Sequence, residues 1–154
     1  MMNIQPAKKR KGVYKFVTHQ DLTYETQLLN YEFENDWLKI SGDGVIVVKG
    51  SYSHGYAWDG CSPKWNFFDL WLLGTPDGRN LVNTQKPITY YASLIHDILL
   101  QYQSDIGITR KEADRIFLHF LGDFSSRYLY YFAVRAFGIA KELTAKWLGK
   151  TDKT

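Results

Sequence analysis

Residues 94–102 read LIHDILLQY, and residues 109–121 read TRKEADRIFLHFL. In the first stretch Leu94, Ile95, Ile98 and Leu99 recur at helical spacing, which predicts a helix with one buried face over roughly 89–103. In the second, Thr109 followed three residues later by Glu112 is a capping box, so a new helix is expected to start there and run to about 121. The link SDIGI is short and polar, and the two helices are expected to pack as an antiparallel hairpin. His96 lies about seven residues before this link and Asp114 about five after it. At about 1.5 Å rise per residue the two come within roughly one turn of the same level, so they can face each other.

The sequence changes character on either side of the hairpin. Between 13 and about 58 the runs VYKFVT, LLNYEF, WLKIS and VIVVKG are rich in β-branched and aromatic residues and read as strands. SGDG at 41–44 separates two of them and reads as a tight hairpin turn. HGYAW is expected to be the last strand or the exit from the sheet. From 59 to 87 the pattern is irregular, with turn chemistry in DGCSPKW and one or two helical turns in NFFDLWLL. A third helix, about 126–148, carries Leu129, Phe132, Ala133, Ala136, Phe137, Ala140, Leu143 and Trp147 as a broad apolar stripe, with Arg127, Arg135, Lys141 and Lys146 as its basic residues. A helix covering the core is the favoured reading of that stripe, and a helix lying on a membrane surface is the alternative. The fold expected is α+β: a small N-terminal antiparallel β-sheet followed by a three-helix layer that contains the hairpin.

Residues 1–12, with Lys8, Lys9, Arg10 and Lys11, read as a flexible basic arm, and 13–150 as a single domain. The net charge of +3 does not by itself argue for nucleic acid, and no specific nucleic-acid partner is expected. One cysteine, Cys61, excludes an internal disulfide framework and favours a reducing compartment. The N-terminal stretch lacks the apolar run of a secretory signal, so a soluble protein made in the cytoplasm is expected.

Three polar fragments stand out in apolar surroundings: WDGCSP at 58–63, HD at 96–97 and TRKEAD at 109–114. A His hydrogen-bonded to a carboxylate is an acid–base unit, because the carboxylate fixes the tautomer and stabilises the cation formed when the other nitrogen takes a proton. Asp97 points about 100° away from His96 on the helix, so it cannot share the task of His96 but can bind a cation or receive Arg110. The structural alternative is a satisfied core histidine, with Asp114 serving Arg110 at i, i+4 and Asp59–Gly60 serving only as a turn. Against it, buried charge without a role is costly.

The order WDGCSP, ASLIHDILL, TRKEADRIFLHFL and YYFAVRAFG resembles the phage and prophage domain of unknown function family 1353, over most of the chain after about residue 36. Trp58 stands where that family usually has Thr, and Cys61 where it usually has Ala. The resemblance implies a phage or prophage gene product, in the virion or acting on a host protein, and implies no activity. HD on one helix facing AD-x-x-F on the next is also similar to the phospholipase A₂-like fold. That similarity implies His96 as the general base activating water, Asp114 orienting it, and Asp97 as a calcium ligand with carbonyls around Gly60. Asp59, Ser62 and Arg110 would support the site. The glycine-rich calcium loop of those enzymes lies close before the helix, whereas Ser62 here lies 34 residues before His96, and Leu100 stands where a tyrosine is usual. Two function classes follow: a phage-encoded protein that binds a phage or host protein, and a hydrolase acting on an ester by His-activated water. Membrane lipid is the alternative partner.

Overall fold

The computed structural model describes residues 3–4, 16–58, 89–123 and 127–151. The turn at Asp59, Gly60 and Ser62, Cys61, the NFFDLWLL run and most of the basic arm lie outside the described residues. Among the described residues eight short strands precede four helices: β1 (Asn3–Ile4), β2 (Phe16–Val17), β3 (Leu22–Glu25), β4 (Phe33–Glu34), β5 (Leu38–Ile40), β6 (Val45–Val48), β7 (His54–Gly55), β8 (Ala57–Trp58), α1 (Tyr90–Gln101), α2 (Gln103–Ile106), α3 (Arg110–Phe120) and α4 (Arg127–Thr151). The architecture is α+β, antiparallel sheet first and helices after, as the two periodicities of the sequence imply.

The main sheet has the order β3-β6-β5-β4 and is antiparallel throughout. SGDG closes the β5–β6 hairpin, with Gly44 at φ 89, Gly44 N–H donating to the Ser41 carbonyl (2.9 Å) and Ser41 N–H donating to the Val45 carbonyl (2.9 Å). Two departures from the sequence reading concern this sheet. Leu22–Glu25 is a strand that the sequence reading passes over; it pairs along its whole length with β6. LLNYEF is mostly a connection, with only Phe33 and Glu34 in a strand, because the chain turns at Asn30 (φ 65) and drops the Leu28 side chain into the core. A second ribbon pairs β2 with β8, and β1, within the segment read as an arm, pairs in parallel with β7.

One apolar cluster joins sheet and helices. Tyr24, Leu38, Ile40, Ile46 and Val48 from the sheet meet Leu94, Ile95, Ile98 and Leu99 of α1 and Ala113 and Ile116 of α3. Alternation puts every second sheet side chain inward, and the i, i+1, i+4, i+5 run of α1 makes the opposing surface. Polar tips finish the joint: Tyr24 Oη donates to the Tyr91 carbonyl (3.2 Å), Tyr56 Oη to Gln101 Oε1 (2.9 Å) and Tyr31 Oη to Glu112 Oε1 (3.2 Å).

α1 and α3 pack as the expected hairpin, bridged by the single turn α2, which ends at left-handed Gly107 (φ 82). The capping box is present in full at α3: Glu112 N–H donates to Thr109 Oγ1 (3.3 Å), and Thr109 N–H donates to Glu112 Oε2 (2.7 Å). α4 packs on α3 with a face other than its long apolar stripe. Tyr130 and Gly138 are its buried positions, with Val134 partly buried beside them. Gly138 permits the approach, because a Cβ there would run into the Arg110 side chain. The stripe itself is turned outward: Leu129, Phe132, Leu143 and Trp147 are exposed, and every described side chain from 139 to 149 is exposed. The first half of α4 thus covers a second apolar cluster through Tyr130 and Val134, but the long stripe expected to do so faces outward. α3 spans 11 residues and α4 spans 25, about 16 Å and 37 Å of helix, so the second half of α4 runs past the surface it packs on.

Candidate functional site

The site is assembled by three helices. His96 projects from the centre of α1 and Asp114 from the second turn of α3, and His96 Nε2 lies 2.7 Å from Asp114 Oδ1. Both side chains are buried, at 8% and 0% exposure. The ring of Phe117, one turn after Asp114, lies against the His96 ring with centroids 4.9 Å apart. The pairing and its register across the hairpin are those implied by the sequence.

The second oxygen of Asp114 is also taken. Arg135, from α4, donates from Nη1 to Asp114 Oδ2 at 2.9 Å. Arg110, the residue singled out in the sequence, stands farther off, with Nε 4.0 Å from the same oxygen. Arg110 Nε is buried without a hydrogen bond among the described residues, held there by the close passage of Gly138. Arg135 is thus the member of the site that sequence reasoning missed. Its signal is a lone cation inside the apolar run YYFAVRAFG, four residues beyond Tyr131 and three before Gly138.

Burial of the Asp114 carboxyl works against its ionisation. The hydrogen bonds from His96 and Arg135, with the charges of His96 and Arg110, outweigh that and hold its pKa below the ordinary carboxylate value. The same contact raises the pKa of Arg135, so its guanidinium stays charged. The arrangement is an ionised carboxylate enclosed by one imidazole and two guanidinium groups. A buried charge is tolerable when it is paired in this way.

A short way along α1, Trp58 docks the sheet on the same helix. Its Nε1 donates to Ser93 Oγ (3.2 Å), and Ser93 Oγ donates to the Tyr90 carbonyl (3.0 Å). Phe16, Trp58 and Tyr90 form an aromatic triple with centroids 4.8–5.4 Å apart. The WDGCSP fragment therefore begins at the end of β8, with Trp58 docked against α1 one turn from His96; Asp59, Gly60 and Ser62 lie outside the described residues. Asp97 is half-buried on α1. Calcium takes about six to eight oxygen ligands. Among the described residues no group of three or more His, Cys, Asp or Glu side chains is arranged to hold a metal ion, and both Asp114 oxygens are engaged by His96 and Arg135. The calcium site expected from the sequence, Asp97 with carbonyls around Gly60, lies in part outside the described residues.

Comparison with family models, curated proteins and solved structures found no match to the chain.

Proposed function

We propose that this chain is a binding protein rather than an enzyme, and that its His96–Asp114–Arg135 unit is a structural lock on the three helices. The observation that carries this reading is the use of Asp114: each carboxylate oxygen is bonded to a different helix, and its side chain is fully buried. A general base needs its imidazole within reach of a substrate proton. His96 instead has one nitrogen committed to Asp114, lies under Phe117 and is 8% exposed. The resemblance of the four sequence fragments to the phage domain family supports a phage or prophage origin, with a virion component or a host component as the partner and the host cytoplasm or the virion as the place of action.

One observation favours the hydrolase reading as the alternative. The 2.7 Å His96–Asp114 bond is the geometry that a His–carboxylate base requires. Ester and phospholipid hydrolysis by the full chain, with and without calcium, separates the two. The binding reading expects no turnover that depends on His96. Turnover abolished in His96→Ala and Asp114→Ala variants that still fold would replace it with the hydrolase, since general-base help is worth roughly 10²–10⁴-fold in rate.

A further inference from the structure

The outer face of α4 has the composition of a buried surface and the exposure of a free one. Leu129, Phe132, Ala136, Ile139, Leu143 and Trp147 follow one another at spacings of three or four, so they lie on one side of the helix. Phe132 is 63% exposed, Leu143 62% and Trp147 69%. A contiguous apolar strip of this kind on a folded protein marks a contact surface. The helix meets the rest of the protein through Tyr130, Val134, Gly138 and Arg135, which leaves the strip on its far side.

Charge selects the occupant. Arg135 is taken by Asp114 and Arg127 pairs with Asp123, which leaves Lys141, Lys146 and Lys150 against the single acid Glu142 along the rest of α4. A second copy laid along the strip would bring like charges together. An anionic surface would be attracted instead: the exposed Lys146 flanks the strip and can reach it on a flexible stem, while Lys141, on the opposite side of the helix, adds longer-range attraction. Trp147 and Tyr128 are exposed residues of the type that sits with an apolar body inside and a polar tip in water at a bilayer interface. No described helix is long and apolar enough to cross a membrane. The pattern of α4, apolar on one side and basic around it, is that of a helix lying in the interface plane.

We propose that α4 docks this protein on an anionic lipid bilayer, its Phe132–Ile139–Leu143–Trp147 strip entering the headgroup–acyl boundary and Lys146 at its flank meeting lipid phosphate. The inference rests on the binding reading above and names the partner. The far half of α4, where the described side chains from 139 to 149 are exposed, is the part that enters deepest.

The test is co-sedimentation of the full chain with vesicles of phosphatidylcholine alone and of phosphatidylcholine with an equal share of phosphatidylglycerol. The wild type binds the mixed vesicles about tenfold or more tighter than the neutral ones, and added salt weakens the binding. Leu143→Glu and, separately, Trp147→Glu abolish it while near-ultraviolet circular dichroism stays native. Lys141→Glu/Lys146→Glu weakens it about tenfold or more on the mixed vesicles. Absence of wild-type binding, or equal binding by both glutamate variants of the strip, overturns the proposal. A dimer in sedimentation velocity that Leu143→Glu dissociates, without vesicle binding, also overturns it and gives the strip to a second copy. None of these outcomes touches the binding reading, which His96-dependent turnover would overturn.

Discussion

α1 and α4 are both rich in apolar side chains, yet they do opposite things with them. α1 buries Tyr90, Ala92, Leu94, Ile95, Ile98 and Leu99, and the polar His96 and Ser93 with them. α4 is twice as long and buries Tyr130 and Gly138 among its described positions. The difference lies in what each helix meets. α1 sits between the sheet and α3 and is enclosed on most sides, so even its polar residues must find partners inside. Among the described elements α4 packs chiefly on α3, through Tyr130, Gly138 and Arg135, and turns its apolar strip outward. Hydrophobic periodicity predicts that a helix has an apolar face; it does not say which solvent or partner that face is for.

The comparison is most strained at Asp114, where the enclosed helices and α4 share one carboxylate. Asp114→Asn leaves Arg135 and Arg110 facing a neutral group in a buried place, and is expected to cost about 3–5 kcal/mol in denaturant unfolding. The pH dependence follows from the depressed pKa. The carboxylate stabilises the fold at pH above its ordinary value of 3.8 and loses that contribution as pH falls through the lower folded value. Acid unfolding should therefore be shallower in Asp114→Asn than in the wild type. A variant as stable as the wild type would mean that the two arginines are simply solvated.

Truncation of apolar side chains comes next. Ile95→Ala, at a position with no exposure, is expected to cost about 2–5 kcal/mol through lost burial and the cavity left behind. Leu143→Ala, at a residue of nearly the same size, is expected to stay within about 0.5 kcal/mol of the wild type. Similar costs at the two positions would show that the α4 strip is covered in solution by the protein itself.

Much of this was legible in the sequence where the physics is local. The α3 capping box, the SGDG hairpin and the register of His96 against Asp114 need only short-range geometry and a short link. Other features depend on tertiary contact. Leu22–Glu25 offers only two inward side chains, Leu22 and Tyr24, too few to show a period of two; pairing with β6 makes it a strand. Arg135 looks like any surface cation of an amphipathic helix, and only the docking of α4 through Gly138 brings its guanidinium to a residue 21 positions earlier. The direction of the α4 strip was misread for the same reason. The stripe is correct as a pattern, but the contact face is chosen by the glycine and the arginine.

The central claim is that His96 and Asp114 serve the fold as one unit. A double-mutant cycle on unfolding free energy, with His96→Ala, Asp114→Ala and the double variant, tests it most directly. A structural unit gives non-additive losses, with a coupling of about 1–3 kcal/mol. Losses that simply add would contradict the account, because the 2.7 Å contact would then contribute nothing to the fold.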